Sequence, residues 1–115
     1  DITDISKYYI QNNGDFEVIE CNGAIIGTYG IYKINDETCE LRKMYLKKDF
    51  QGMGLGNIMI ENSFKIAKLL NYKKITLQTN SALYKAIKLY KKYGFEDFNE
   101  EVCDRCDIAM IKEIA

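Results

Sequence analysis

The chain has 115 residues, of which 47% are hydrophobic, and a formal net charge of −1 at pH 7. This length and composition fit one globular domain rather than a disordered chain, and the balanced charge gives no general attraction for nucleic acid. No apolar run approaches the roughly 18 residues needed to span a bilayer, so we expect a soluble, cytoplasmic protein.

The first part of the chain is predicted to form a short helix followed by three antiparallel strands. Ile2, Ile5 and Tyr9 recur at helical spacing, and the polar residues 12–14 end that helix. Asn22-Gly23 is a strong signal for a tight hairpin between the first two strands. The predicted strands are residues 16–21, 25–34 and 39–46.

The second part of the chain alternates helix and strand patterns. A helix after the glycine-rich segment is predicted to run to about residue 70, followed by a strand at 74–77. Asn80 or Ser81 caps a second helix, which ends at Gly94. The predicted core residues of the two helices are Ile58, Met59, Phe64, Ile66, Ala67, Leu69 and Leu70 in the first and Leu83, Ala86, Ile87 and Tyr90 in the second.

Two last strands, at residues 95–98 and 108–111, flank the acidic connection 99–107. After the short helix, the element order is therefore β-β-β-α-β-α-β-β. This order predicts a single α/β domain with a mixed, mostly antiparallel sheet and helices on both faces.

The segment from Gln51 to Gly56 carries three glycines between a strand and a helix. Glycine lets the backbone approach a ligand closely, and a helix that begins there directs unpaired N–H groups at an anion. No Lys-Ser or Lys-Thr follows Gly56, so this is not a P-loop, and the G-x-G-x-G spacing is not the dinucleotide fingerprint. The segment predicts a phosphate site, and the alternative is a simple turn.

Two motifs then point to a family. The run Glu40-Leu-Arg-Lys-Met-Tyr-Leu46 with Gln51-x-x-Gly54-x-Gly56 resembles the acetyl-CoA-binding motif of the GNAT superfamily of N-acetyltransferases. Downstream, Leu77-Gln-Thr-Asn80 and Ala86-Ile-x-Leu-Tyr90-x-x-x-Gly94-Phe95 resemble the fifth strand and fourth helix of that family. The resemblance covers residues 40–95.

The resemblance implies where coenzyme A would bind. Strands 39–46 and 74–77 would splay apart around the pantetheine arm. Backbone groups near Met44, Tyr45 and Leu46 would bind that arm and polarise the acetyl carbonyl. The backbone N–H groups of the glycine-rich segment would hold the pyrophosphate. The implied cofactor-binding residues are Met44, Tyr45, Leu46, Gln51, Gly52, Met53, Gly54, Leu55, Gly56, Asn57 and Asn80.

The same resemblance implies two catalytic residues. Tyr90 corresponds to the tyrosine with which many members protonate the departing thiolate, and its helical stripe leaves a purely structural core role as the alternative. Tyr84 is a weaker candidate for that acid. Glu40 corresponds to a general base of some members, whereas an ion pair with Arg42 on the same strand face is the equally weighted alternative.

The predicted function is direct transfer of an acetyl group from acetyl-CoA to a primary amine in a ternary complex. The alternative is a noncatalytic acyl-CoA-binding or regulatory interaction module of the same fold. The acceptor is predicted to be a small-molecule amine or an amine of a protein or peptide, with no nucleic acid or membrane partner.

The N-terminus departs from the family pattern. The chain begins at Asp1, and only residues 1–11 precede the first predicted hairpin. We therefore expect an incomplete N-terminus that lacks the first strand and helix of the family. Residues 16–21 would then form an exposed edge strand, which predicts a homodimer through that edge.

Histidine is absent, which excludes Ser-His-Asp and Cys-His mechanisms and histidine-ligated metals within this chain. Cys21 and Cys39 lie in apolar runs, and Cys103 and Cys106 form one isolated C-x-x-C. Zinc sites usually need a second pair of cysteines or histidines. We predict structural roles for the cysteines, no metal site, and a reducing cellular compartment.

Overall fold

The computed structural model describes residues 5–11 and 14–115, with side chains from residue 17 onward. These described residues form seven strands and two α-helices. They are β1 Ile5–Gln11, β2 Gly14–Cys21, β3 Ala24–Lys33, β4 Thr38–Leu46, α1 Leu55–Leu69, β5 Lys74–Thr79, α2 Tyr84–Lys92, β6 Glu96–Asp97 and β7 Ile108–Glu113. A 3₁₀ turn, Lys48–Phe50, connects β4 to the glycine-rich segment.

All strands form one sheet in the order β1-β2-β3-β4-β5-β7-β6. Neighbouring strands are antiparallel except β4 and β5, which are parallel. A parallel pair needs a long crossover connection, and α1 supplies it. The prediction of a mixed, mostly antiparallel α/β fold is confirmed.

The predicted N-terminal helix is wrong for the described residues. Residues 5–11 form β1, which pairs with β2 from Ile5 opposite Cys21 to Gln11 opposite Asp15. Isoleucine and tyrosine favour strands where a partner strand is available, and this tertiary pairing overrides the helical spacing. The strand containing residues 16–21 therefore has neighbours on both sides and is not an exposed edge; Ile2 lies outside the described residues.

Both helices lie on one face of the sheet, which differs from the prediction of helices on both faces. The Tyr93 hydroxyl, just past α2, lies 2.9 Å from Asn57 Oδ1 of α1, and the rings of Phe64 and Tyr93 meet edge to face at 6.1 Å. Helices on opposite faces could not touch, because the sheet would stand between them.

The sheet itself explains this one-sided arrangement. Directly paired residues project from the same face, so the register aligns Ile31 with Leu41 and Leu77 with Met110 on the helix side, where all four side chains are buried. The other face carries polar side chains, including Glu40, Arg42 and Gln78. One apolar face needs only one layer of helices to cover it.

The core side of α1 also differs in part from the prediction. Ile58, Leu69 and Leu70 are exposed rather than buried, with Leu69 81% exposed at the end of the helix. The buried residues of α1 lie along one stripe of the helix, and this stripe is the part that packs against the sheet. They are Leu55, Met59, Ile60, Ser63, Ile66 and Ala67. Neither helix in the described ranges is long and apolar enough to cross a membrane.

Two predicted turns are confirmed in detail. Asn22 and Gly23 both have positive φ, 52° and 83°, as a tight hairpin between β2 and β3 requires. Gly94, with φ 92°, ends α2: its N–H donates to the Lys91 carbonyl, and the Phe95 N–H donates to the Tyr90 carbonyl at 3.1 Å. This C-terminal motif fixes the position of Tyr90 relative to the core.

Candidate active site

A gap between β4 and β5 forms the base of the site. These strands pair only from Thr38 opposite Lys74 to Glu40 opposite Thr76, although β4 continues for six residues to Leu46. Beyond Glu40 the two strands diverge, as the family resemblance implied. Backbone groups of the second half of β4 thus face a groove on that side instead of a neighbouring strand.

A β-bulge in β4 accompanies this divergence. The pairing with β3 passes from Gly30 opposite Arg42 to Thr28 opposite Tyr45, so two residues of β4 face the single residue Tyr29. Lys43 is one of the two, with φ 60°, and its carbonyl accepts a hydrogen bond from Thr28 Oγ1. The bulge bends β4 immediately before Met44. Nothing in the sequence signals it, since lysine rarely adopts positive φ.

The groove is a cavity of about 710 Å³ between the end of β4, the start of α1 and the start of α2. That volume lies within the range of small-molecule sites. Eight of the predicted cofactor-binding residues line it, namely Met44, Tyr45, Leu46, Gln51, Gly52, Gly54, Gly56 and Asn57. Opposite them lie Ala82, Leu83, Tyr84, Lys85, Ala86, Leu89 and Tyr90. We call this space the first cavity.

The glycine-rich segment adopts backbone conformations that favour glycine and lines the first cavity. Gly52 and Gly54 have φ of 80° and 83°, in the left-handed region that side chains disfavour. A Cβ on Gly56 would lie 3.1 Å from Leu89 Cδ2, so a larger residue would press on α2. The first bond of α1 runs from the Ile58 N–H to the Gly54 carbonyl, which leaves the preceding N–H groups of the first turn without a partner inside the helix.

Three of the predicted cofactor-binding residues lie elsewhere. The Met53 side chain is 51% exposed outside the first cavity, and Leu55 is buried in the core. Asn80 lines a second cavity, and its side chain is used locally: Oδ1 accepts the Ala82 N–H and Nδ2 donates to the Arg105 carbonyl. Asn80 and Ser81 lie in the turn before α2, and Leu83, not either of them, immediately precedes the helix.

A polar cluster that the motifs did not indicate joins α2 to the start of α1. Asn57 Oδ1 accepts a hydrogen bond from Lys92 Nζ at 2.9 Å, and the Tyr93 hydroxyl lies between Asn57 Oδ1 and Glu61 Oε2 at 2.9 and 2.7 Å. The hydrogen bond to Glu61 raises the pKa of Tyr93. The cluster holds Asn57, which lines the first cavity, against the second helix.

A second cavity of about 800 Å³ adjoins the splayed strands. Its walls are β4, the end of β5 and the connection between β6 and β7. The charged residues that line it are Glu40, Arg42, Lys43, Glu100, Glu101 and Arg105. Met44, Leu83 and Tyr90 line both cavities, so the two spaces meet at these three residues.

Tyr90 is both a core residue and a cavity residue, so its two predicted roles do not exclude each other. Its side chain is only 6% exposed and packs edge to face against Phe95, with ring centroids 5.8 Å apart. Burial raises the pKa of Tyr90 to about 12. The phenol therefore stays protonated at neutral pH and can donate a proton or a hydrogen bond. Tyr84, the weaker candidate, lines the first cavity but is 69% exposed.

Glu40 lines the second cavity and is paired with Arg42. The carboxylate accepts a hydrogen bond from Arg42 Nε, and the guanidinium lies 4.9 Å from the centre of the Tyr32 ring. Only 8% of Glu40 is exposed. The Glu40–Arg42 ion pair, one of the two alternatives predicted for Glu40, is thus present. It engages the carboxylate that would otherwise be available as a base.

The cysteines fall into two classes. Cys21 and Cys39 are buried, as predicted, and burial raises the pKa of the Cys39 thiol to about 12. Cys103 is exposed and Cys106 is partly buried. Within residues 5–11 and 14–115, no group of three or more histidine, cysteine or acidic residues is arranged to hold a metal ion.

The chain matches the model of the acetyltransferase (GNAT) family over residues 2–95. An uncharacterized N-acetyltransferase of Escherichia coli K12, YjgM, is 28% identical over 98% of this chain and 72% of its own length. The N-acetylaspartate synthetase of Danio rerio is 31% identical over 87% of this chain, which spans only 36% of that protein.

Solved structures share the fold. A GNAT family acetyltransferase from Elizabethkingia anophelis, with acetyl-CoA bound, superposes with a TM-score of 0.79 at 20% identity and covers 96% of this chain and 99% of its own. A Bacillus subtilis acetyltransferase in complex with CoA gives a TM-score of 0.77 at 14% identity, with the same coverage. The chain belongs to the GNAT family of acetyltransferases, which use acetyl-CoA as cosubstrate.

Proposed function

We propose that this chain is an N-acetyltransferase that moves the acetyl group of acetyl-CoA directly to a primary amine in a ternary complex. The observation that carries the proposal is the position of Tyr90, which lines both cavities where they meet. One cavity holds the glycine-rich segment and the other is lined by charged side chains. The acyl donor in one cavity and the amine in the other would come together at this junction, so a proton donor there would lie beside the reacting atoms.

The first cavity suits coenzyme A. Gly52 and Gly54 give close backbone approach, and the N–H groups at the start of α1 suit a pyrophosphate. The end of β4, from Met44 to Leu46, has no partner strand on its β5 side, so backbone groups there could bind an amide-rich arm and a thioester carbonyl. Acetyl-CoA supplies an activated acyl group, and the residues of this chain would bind it and fix its orientation.

Tyr90 would act as the acid. Its hydroxyl is protonated across the physiological range, as any phenol with a pKa near 10 is, and burial raises the pKa of Tyr90 further, to about 12. A donor at this point would stabilise negative charge on a departing sulfur by a hydrogen bond that strengthens as the charge develops. Only 6% of Tyr90 is exposed, so little of its side chain meets bulk water.

The amine must lose a proton before it can attack. An amine with a pKa near 10.4 is neutral in about one molecule in 10³ at pH 7, so deprotonation costs roughly 4–5 kcal/mol. Glu40 is the proposed base. Because Arg42 engages its carboxylate, a substrate amine would have to displace that pair or give its proton through a water molecule.

The second cavity would receive the acceptor. Acidic side chains there suit the ammonium group of an incoming amine, while Arg42, Lys43 and Arg105 suit a carboxylate on the same molecule. The name of the Danio rerio relative, N-acetylaspartate synthetase, favours an amino acid as acceptor. An amine of a protein or peptide is the other acceptor class in the proposal.

One observation favours a second function. The Glu40–Arg42 pair leaves the proposed base occupied, as expected of a noncatalytic acyl-CoA-binding or regulatory module. The two functions differ in turnover. An enzyme releases free coenzyme A faster when its amine is added, whereas a binding module does not.

The test is release of coenzyme A thiol from acetyl-CoA across a panel of amines that includes aspartate, polyamines and a lysine peptide. Acetyl-CoA should raise the melting temperature, and at least one amine should raise thiol release well above the hydrolytic rate. Tight cofactor binding with no amine-dependent release across the panel would overturn the enzyme proposal in favour of the binding module.

A further inference from the structure

The connection between β6 and β7 brings two thiols together at the surface. Cys103 and Cys106 lie in a β-turn in which the Cys106 N–H donates to the Cys103 carbonyl at 3.0 Å, and their Sγ atoms lie 2.8 Å apart. Residues at the ends of a β-turn have Cα atoms within about 7 Å, a range that includes the separations a disulfide accepts. The turn therefore needs little backbone movement to close a disulfide.

This turn forms part of the wall of the second cavity. The Cys103 N–H donates to Gln78 Oε1 at 2.9 Å, and Gln78 Nε2 donates to the Glu101 carbonyl. Ser81 binds the Asp107 carboxylate through both its N–H and its hydroxyl, each at 2.7 Å. These bonds join the connection to the end of β5, and Cys103 and Cys106 both line the cavity.

We propose that Cys103 and Cys106 form a thiol–disulfide exchange site in the wall of the second cavity, modified by low-molecular-weight disulfides. Cys103 is exposed and Cys106 is half-buried beside it. A small disulfide can thus reach Cys103 first, and the second thiol lies within reach to complete the exchange.

The exchange needs only the two protein thiols and the small disulfide. The Cys103 thiolate attacks one sulfur of the small disulfide, which forms a mixed disulfide and releases one thiolate that takes a proton. Cys106 then loses its proton and attacks the Cys103 sulfur, which forms the internal disulfide and releases the second small thiol. The protein thiols lose two electrons and two protons, and the small disulfide becomes two thiols.

The electrostatics of the pair support this order of attack. The hydrogen bond between the two sulfurs lowers the pKa of Cys103, and the same bond raises the pKa of Cys106 to about 11. The exposed thiol thus has the greater thiolate fraction at neutral pH, which makes it the better nucleophile. Cys21 and Cys39 are buried and serve as internal controls.

The experiment exposes the full chain, in native buffer, to a series of reduced and oxidised glutathione ratios. Remaining thiols are then alkylated in denaturant and mapped by peptide mass. The expected product is an internal Cys103–Cys106 disulfide that lacks two hydrogen atoms and is restored by reductant, with Cys21 and Cys39 alkylated at every ratio.

Two single variants test the order of attack. Cys106→Ser should accumulate one glutathione adduct at Cys103, because the second thiol is gone. Cys103→Ser should form an adduct at Cys106 about tenfold more slowly, because Cys106 is half-buried whereas Cys103 is exposed. Failure of oxidised glutathione alone to form the internal disulfide in the native chain, or equal adduct rates in the two variants, would overturn the proposal.

Discussion

The two cavities that meet at Tyr90 are built in different ways. One side of the first is lined by residues from two short stretches, 44–46 and 51–57, and the stretch 51–57 contains two glycines with positive φ. The second draws its walls from β4, the end of β5 and the connection 99–107, and its chemistry lies in side chains. Backbone geometry leaves a local motif in a sequence, whereas convergent side chains from distant segments do not.

This difference leads to a prediction about the residue that the cavities share. Tyr90→Phe should lower kcat between about 100-fold and 10,000-fold, the usual contribution of a general acid, with the Kd for acetyl-CoA changed by less than about twofold. Steady-state kinetics and titration calorimetry measure the two quantities. Tyr84→Phe is the matched control in the same cavity and should retain kcat. Equal losses in both variants would argue that neither hydroxyl donates to the reacting atoms.

Burial of the same phenol predicts an alkaline loss of stability. Folding raises the pKa of Tyr90 from 10.0 to about 12, so its contribution to stability is complete below pH 10 and is lost as pH rises toward 12. The free energy of unfolding should fall by roughly 2–3 kcal/mol over that range from this group. Urea unfolding at several pH values measures it, and Tyr90→Phe should show a shallower fall. An unchanged slope in the variant would contradict the burial of Tyr90.

The backbone character of the first cavity can be tested at Gly54. Gly54→Ala should weaken acetyl-CoA binding about tenfold, because a φ of 83° costs a side chain roughly 1–2 kcal/mol and the loop would move to relieve it. A Cβ there meets nothing within 4 Å, so crowding is not the cause. Gly23→Ala, at the same φ in the distant β2–β3 hairpin, is the control. It should lower stability and leave the acetyl-CoA Kd unchanged.

The side-chain character of the second cavity can be tested at Glu40. Glu40→Gln should lower kcat/KM for the amine several-fold to about tenfold at neutral pH, less than the roughly 100-fold of an unengaged base, because Arg42 engages the carboxylate. The acetyl-CoA Kd should be unchanged, because Glu40 lines only the second cavity. Kinetics with each substrate varied in turn separates the two effects. A loss of acetyl-CoA affinity with an unchanged amine dependence would mean that the cavities are assigned the wrong way round.

The smallest effect is expected at the polar cluster that joins α2 to the start of α1. Tyr93→Phe removes the hydroxyl beside Asn57 and Glu61, a hydrogen bond worth about 1 kcal/mol at most in an exposed position. The Kd for acetyl-CoA should rise about two- to threefold with kcat unchanged. Calorimetry with wild type and variant under one buffer condition is sensitive enough, and an unchanged Kd would show that Asn57 needs no support from α2.

The sequence predicted features that adjacent residues determine and missed features that depend on distant segments. The glycine-rich segment, the Asn22-Gly23 hairpin and the Gly94 helix end were predictable because a few adjacent residues determine each of them. The bulge at Lys43 and the pairing of residues 5–11 with β2 were not, since both depend on neighbouring strands. The sequence also did not predict that one face of the sheet is polar and carries no helix. Which side of each strand faces the core depends on the register between strands.

The candidate site was likewise predicted where its residues are contiguous. Tyr90 and eight of the predicted cofactor-binding residues line the first cavity, whereas Asn80 lines the second, because the turn before α2 directs its side chain to the connection 99–107. That connection showed only an acidic composition and an isolated C-x-x-C in the sequence. Its place in the wall of the second cavity follows from hydrogen bonds to Gln78 and Ser81, which no spacing rule reveals.

A crystal structure of the chain with acetyl-CoA tests the central claim most directly, because it locates the thioester relative to Tyr90. The account predicts the pyrophosphate on the N–H groups of residues 52–57 and the thioester sulfur within hydrogen-bonding distance, about 3 Å, of the Tyr90 hydroxyl. The acetyl group should point into the second cavity. A pyrophosphate bound elsewhere, or a sulfur far from Tyr90, would contradict it.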